Sequence, residues 1–393
     1  MDIREIKNDF YKMTCIQQMA YASSFNGTKE EVEKVKEIYK ELTSGSDIVA
    51  LGAYEDSLLG TALHYDFETN FYGEMIPTAG IGSLAVDLLH KKKHVAYELI
   101  QASIDRATDN GADLYHLYPF NTRFYRNFGF GYGVPVYTYC IRPDDFLGDG
   151  DRSLLSYGSE DDYDAIFDFY DDFARKNHGM SLLTTGDKRR LNKMNKGKLI
   201  IAKDEDRIIG YMVFTIEGMD KNNNQAQKLH VHEMLYTKKA LKAFGSFFKT
   251  QKDQVSYIQL TTHDDKFHHI LNNTYFARKP ETQDLISLKV SDKSLGLMPL
   301  ALNPQNLLDK LPSPHKCIKF HITYLNKETV NATIGKGVVI DMTLSINDFS
   351  SWVTGVITLE NLNDLGRLET TCNDLRDIDR HFFFEKPKSI TRF

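Results

Sequence analysis

Cysteine is scarce in this sequence, and its four copies, Cys15, Cys140, Cys317 and Cys372, lie far apart with no CxxC pair among them. Such spacing provides neither a disulfide framework nor a cysteine zinc site. No uninterrupted apolar run approaches the roughly 20 residues of a membrane-spanning helix. The opening residues, MDIREIKNDFYKMTC, carry acids where a targeting signal would carry an apolar core. A cytoplasmic protein with no membrane partner is therefore expected. Charge is also short of any large imbalance: the net charge is -6 and the pI about 6.1, which excludes a general affinity for nucleic acid. GxSxG, GK[ST] and HExxH are all missing, which sets aside the commonest hydrolase, nucleotidase and metalloprotease readings. His230 and His232 alternate along one segment, and His263, His268 and His269 crowd a loop beside Asp264 and Asp265. No carboxylate or cysteine at a fixed zinc spacing accompanies them, so no metal is expected.

What the sequence does contain is length and order. At 393 residues, 41% hydrophobic and 26% charged, it has the balance of a globular protein and room for two or three domains. The stretch from Thr78 to Gly133 organises the rest. Ile81 to Val86 reads as a buried strand and is followed by the basic loop His90-Lys91-Lys92-Lys93-His94. Val95, Ala96, Leu99, Ile100, Ile104 and Ala107 then recur at helical spacing until Asn110-Gly111 ends the helix. A second strand, Leu114 to Leu117, precedes the aromatic run Phe124-Tyr125-Arg126-Asn127-Phe128-Gly129-Phe130. Cations at a strand-to-helix turn, beside unpaired N–H groups and the positive end of the helix dipole, form a seat for phosphate. A pyrophosphate-bearing ligand is the expectation.

Before this unit, Val32, Val35, Ile38, Tyr39 and Leu42 predict a helix over residues 29–42, and residues 47–65 predict a hairpin about Glu55-Asp56-Ser57. Val134 to Ile141 reads as one more strand of the same region, and Arg142 to Gly150 as its exit. The next region repeats that order: a helix near residues 161–175, a hairpin over residues 198–216 in which Glu205 to Gly210 echoes Glu55 to Gly60, a strand from Leu229 to Tyr236, and a helix from Lys238 to Phe248. An internal duplication is the economical reading. Its strand-to-helix turn, Tyr236 to Ala240, has no glycine and is expected to bind no cofactor. Beyond about residue 285 come a short apolar run at Met298 to Leu302, a helical segment near Asn306 to Leu311, strands at Cys317 to Leu325, Thr329 to Ile334 and Gly337 to Thr343, and a helix over Ile346 to Val353.

The strand, basic turn and helix resemble the cofactor-binding core of the GNAT N-acetyltransferases, whose motif is Arg/Gln-x-x-Gly-x-Gly/Ala; Lys91 to Ala96 are the matching residues, with His94 in the place of a glycine. Phe124 to Phe130 resemble the F/IYxRFGY signature of the Eis-like branch of that superfamily. The resemblance covers the whole chain and implies an α+β protein: tandem GNAT-like domains with mixed, mostly antiparallel sheets, then a sterol-carrier-protein-like domain. The corresponding boundaries are 1–146, 147–285 and 286–393. It implies acetyl-CoA as cosubstrate, gripped by backbone groups of Leu84, Ala85 and Val86, by Lys91, Lys92, Lys93, His94, Val95, Ala96 and Tyr97 at the turn, and lined by Phe120 and Asn121. It assigns Tyr125 as general acid and the terminal carboxylate of Phe393 as general base, and it implies a homo-oligomer of hexameric form. The acceptor would be a primary amine of a small molecule or a lysine side chain; Arg392 stands where relatives with broad aminoglycoside activity place a carboxylate. A catalytically silent acyl-CoA binder is the other reading, motivated by His94.

Overall fold

The computed structural model describes residues 1–193, 198–220, 223–274, 276–277, 288–372, 374–382 and 386–389. The chain begins with β1 (Asp2–Glu5), α1 (Phe10–Ala20) and α2 (Lys29–Leu42). Thr28 starts α2 by accepting the Glu31 N–H, which satisfies one of the orphan donors of the first turn. β2 (Ile48–Tyr54), β3 (Leu58–Phe71) and β4 (Glu74–Val86) form an antiparallel meander; α3 (Val95–Asp109) then crosses to β5 (Leu114–Leu117), which runs parallel to β4, and α4 (Thr122–Arg126) follows. Next come β6 (Pro135–Ile141), β7 (Leu155–Tyr157), α5 (Tyr163–Lys176), α6 (Thr185–Lys193), β8 (Lys198–Asp204), β9 (Arg207–Asp220), β10 (Asn223–Tyr236), α7 (Lys238–Lys249), β11 (Tyr257–Thr262) and β12 (Asp292–Leu295). The remainder is β13 (Met298–Ala301), α8 (Pro304–Asp309), β14 (Cys317–Thr323), β15 (Thr329–Ile334), β16 (Val339–Ser345), α9 (Ile346–Val353), α10 (Leu359–Asp364), β17 (Leu368–Thr370) and α11 (Leu375–Phe382).

The strands assemble into three sheets, ordered β1-β2-β3-β4-β5-β13, β12-β6-β11-β10-β9-β8-β7 and β15-β14-β16-β17. The first two repeat one plan. In each, an antiparallel set ends in a long strand, a helix crosses over, and the next strand returns in parallel: β4, α3, β5 and then β10, α7, β11. The parallel return requires a crossover, and the apolar faces of α3 and α7 supply it. Val95 and Leu99 pack on Val49, Leu51, Ala53 and Leu59, while Phe244 and Phe248 pack among Met212, Phe214, Leu229 and Leu260.

The closing strands correct the boundaries read from sequence. Pro135–Ile141, assigned there to the first domain, pairs with β11 and β12 in the second sheet, whereas β13, from beyond the second repeat, pairs with β5 in the first. Accordingly the compact units are not three consecutive blocks. One comprises Met1–Gly133, Ala174–Asp187 and Leu297–Phe393, the other Val134–Phe173 and Lys188–Gly296. The physical cause is hydrogen bonding: the ladder to β13 and the amide of Asn347 on α9, which donates to the carbonyls of Arg126 (2.8 Å) and Phe130 (2.9 Å), tie the C-terminal third to the first sheet. In the third sheet Phe320 meets Phe349 edge-on and lies tilted against Trp352, the latter also meeting Phe382 of α11 edge-on.

Candidate active site

The candidate site of the first unit lies where two neighbouring strands part. β4 and β5 pair only from Thr78↔Leu114 to Ile81↔Leu117; past Leu117 the chain turns toward α4 and leaves β4 from Gly82 onward with an open edge. A β-bulge lies at the same place. Thr61 opposes Ala85 and Leu63 opposes Gly82, so Ser83 and Leu84 together face the single residue Ala62, and Ser83 takes φ 49°. Bulges re-aim strand groups and are common beside active sites. The Asp87 N–H donates to the Leu59 carbonyl, so by strand alternation Ala85 and Asp87 face β3 while Leu84 and Val86 turn their backbone groups to the open edge.

Helix α1 reaches that edge. The Gln17 amide donates to Thr61 Oγ1 (2.8 Å) and to the Ser83 carbonyl, and the Tyr21 hydroxyl donates to the Leu84 carbonyl (2.8 Å). None of these three polar residues is signalled by a motif. The bulged residues Ser83 and Leu84 supply the carbonyls that Gln17 and Tyr21 reach.

The turn into α3 is held by Asp87, whose carboxylate accepts from the Leu89 N–H (2.9 Å) and contacts His90 Nδ1 (3.2 Å); the backbone bond keeps the carboxyl below its usual range. Lys91, Lys92 and Lys93 are exposed, and both Lys92 (φ 66°) and His94 (φ 61°) are left-handed. The glycine position of the motif thus keeps its glycine-like backbone with a histidine in it, a conformation that His tolerates better than most residues. His94 is the residue before α3, and among the described residues no protein group accepts the N–H of Val95, Ala96 or Tyr97. Val95 buries its side chain in the core, so only its backbone can meet a ligand, whereas Ala96 is half-buried and Tyr97 is exposed, its ring 4.8 Å from that of Phe128. Gly60 permits the close approach of α3: a Cβ there would lie 2.6 Å from the Val95 side chain.

Across the gap, Asn121 caps α4 by accepting the Phe124 N–H (3.2 Å), and Phe120 stands 74% exposed beside it. Tyr125 is packed edge-on by Phe120 and Phe124, each 5.2 Å away, and is only 4% exposed. Its hydroxyl has no hydrogen-bond partner among the described residues, and burial pushes its pKa well above 10. Burial thus keeps the proton on that oxygen. His116 on β5 went unnoticed in the sequence: it is 4% exposed, its Nδ1 lacks a partner among the described residues, and burial lowers its pKa to about 3, so the ring is neutral.

The end of the chain also enters this unit. The Lys388 N–H donates to the His178 carbonyl (2.8 Å), Lys388 Nζ to Asn177 Oδ1 (2.7 Å), and buried Ser389 lies 3.4 Å from the Tyr118 hydroxyl. Gly179 is required there, since its φ is +83° and a Cβ would fall 2.6 Å from the Lys388 carbonyl oxygen. Phe393 lies outside the described residues.

Two family models match the chain, both described as acetyltransferase (GNAT) domains, over residues 2–133 and 177–287. Similar solved structures include a GCN5-related N-acetyltransferase from Anabaena variabilis (17% identity, TM-score 0.79, 100% of both chains) and Eis1 from Mycobacterium abscessus (16%, 0.74, 100% of both chains). Another is a probable N-acyltransferase from Enterococcus faecalis (16%, 0.74, 100% of this chain and 99% of that one). At these identities the likeness is one of fold. No curated protein matches. With GNAT domains matched over residues 2–133 and 177–287, this chain belongs to the GNAT acetyltransferases.

Proposed function

We propose that this enzyme transfers the acetyl group of acetyl-CoA to a primary amine, on a small molecule or a lysine side chain, at the parted strands β4 and β5. The observation that carries the reading is Tyr125, a buried, protonated phenol with a hydroxyl free of protein partners among the described residues. The pantetheine arm adds to β4 as an extra strand along Leu84, Ala85 and Val86, bonding the edge-facing backbone groups of Leu84 and Val86 while Ala85 stays bonded to β3, and the pyrophosphate rests on the α3 N-terminus between Lys91 and Tyr97, with Phe120 and Asn121 opposite. The amine nitrogen attacks the thioester carbonyl, the tetrahedral intermediate expels the CoA thiolate, and Tyr125 gives that sulfur its proton. The Phe393 carboxylate takes the proton that the ammonium loses. Ser389 is anchored beside Tyr118, and the four residues beyond it can extend at most about 14 Å.

The sheet β15-β14-β16-β17 is read as the sterol-carrier-protein-like part, the second unit as a GNAT-like domain that binds no cofactor, and the assembly as a cytoplasmic homo-oligomer of hexameric form. Arg392 makes a highly cationic aminoglycoside a poor acceptor. The test is thiol release from acetyl-CoA with a panel of amines, products being identified by mass spectrometry, for the native chain and for chains extended past or lacking Phe393. Turnover abolished by both terminal changes supports the scheme; full activity in both removes the carboxylate. Thermal stabilisation by acetyl-CoA without turnover on any amine would favour a silent acyl-CoA binder.

A further inference from the structure

The second unit repeats the bulge as well as the sheet. β10 occupies the place of β4, and between Val231↔Phe214 and Glu233↔Val213 it carries one extra residue, His232. In the first unit this feature bends the strand where the chemistry is placed. In the second it gathers metal-ligating side chains. His230 pairs directly with Thr215 and Lys228 with Glu217, so these four side chains share one face of the sheet, the face opposite the core formed by Phe214, Leu229 and Val231 with α7. The bulged His232 joins them: its Nε2 lies 2.8 Å from Thr215 Oγ1, and its ring centroid is 4.4 Å from that of His230.

We propose that Glu217, His230 and His232 form a binding site for a divalent ion of the zinc class. One ligand atom from each lies within 4.8 Å of the others. Tetrahedral zinc with bonds of about 2.0–2.2 Å separates its ligand atoms by about 3.3–3.6 Å, so closure requires side-chain movements on the order of 1 Å. Two imidazoles and a carboxylate are a donor set that zinc accepts with a fourth position left to water. Surrounding groups fit that role. Thr215 Oγ1 donates to Glu217 Oε1 (2.7 Å), the outer hydrogen bond that orients a ligating carboxylate. His230 Nδ1 lies 3.1 Å from the same oxygen, and all three side chains are half-exposed, leaving an entry path. One group competes with the ion. Lys228 Nζ sits 3.1 Å from Glu217 Oε2 and 3.1 Å from Gln259 Oε1, and the second of these gives it somewhere to go.

The test uses the full chain, stripped of metal by chelation, titrated with zinc chloride by calorimetry and with cobalt(II) by visible absorption. One zinc per chain should disappear in the His230→Ala/His232→Ala double variant and persist in His268→Ala/His269→Ala, which removes the adjacent histidine pair of another loop. Lys228→Ala should tighten binding on the order of fivefold by removing the competing cation, a response that scattered surface histidines would not give. Should the double variant fail to fold, Glu217→Gln preserves shape and should weaken binding at least about tenfold. Absence of zinc binding in the native chain, or unchanged stoichiometry in the double variant together with unchanged affinity in Glu217→Gln, overturns the assignment.

Discussion

The Tyr21 hydroxyl donates to the carbonyl of Leu84, 2.8 Å away, on the open edge of β4 where pantetheine is proposed to add. Cofactor and phenol therefore compete for one acceptor. A neutral hydrogen bond contributes about 1 kcal/mol net, so Tyr21→Phe should lower the acetyl-CoA dissociation constant about fivefold. Calorimetric titration checks this; weaker binding in the variant would make Tyr21 a ligand of the cofactor rather than its rival.

Charge reversal at the α3 turn should act in the opposite direction. Lys91→Glu with Lys92→Glu places two anions beside helix N–H groups that otherwise attract phosphate, and the dissociation constant should rise by about 100-fold or more at low ionic strength. The loss should shrink as salt is added, because the lysines are exposed. Equal affinity at all salt concentrations would separate the basic loop from the pyrophosphate.

His94 offers a backbone test. At φ 61° a glycine is relaxed and a β-branched residue strained by about 1–3 kcal/mol. His94→Gly should hold or raise the thermal midpoint, whereas His94→Val should lower it by a few degrees and loosen acetyl-CoA. Looser binding in His94→Gly alone, at unchanged stability, would identify the imidazole as a phosphate ligand.

For Tyr125→Phe, kcat should fall by about 100-fold or more with the thermal midpoint unchanged, because the hydroxyl removed has no partner among the described residues and the ring packing stays. Since its pKa is raised above 10, no alkaline limb below about pH 10 should come from this phenol. Steady-state rates across pH decide it.

Tyr39, buried at 8% exposure, is pushed up to about 12 by burial above all. The folded state thus holds this proton more tightly than the unfolded chain. That stabilisation is complete below pH 10 and is lost as pH rises from 10 toward 12, amounting to about 2–3 kcal/mol for this group. Denaturant unfolding at pH 8 and pH 11 should show the loss, with a smaller difference in Tyr39→Phe.

Much of the architecture was local and therefore legible. The helix over Lys29–Leu42 is marked by its apolar spacing, and the strand, basic turn and helix from Ile81 to Asp109 by a change of period. The repeated order of elements indicated two domains of one kind, and the strand, basic turn and helix around Lys91 to Ala96 indicated the GNAT kind. Motifs of this sort work because neighbouring residues share one element.

Tertiary structure decided what depends on pairing across the chain. Nothing in Pro135–Ile141 or Met298–Ala301 says which sheet each strand joins, since an apolar strand fits either edge and only the ladder selects β11 for one and β5 for the other. The bulges at Ser83-Leu84 and at His232 are equally silent in sequence, because a bulge is a mismatch between two strands and belongs to neither alone. For the same reason Glu217 could not be joined to His230 and His232 by spacing: 13 residues separate it from the nearer histidine, and only the β9–β10 register brings their side chains within 3.1 Å.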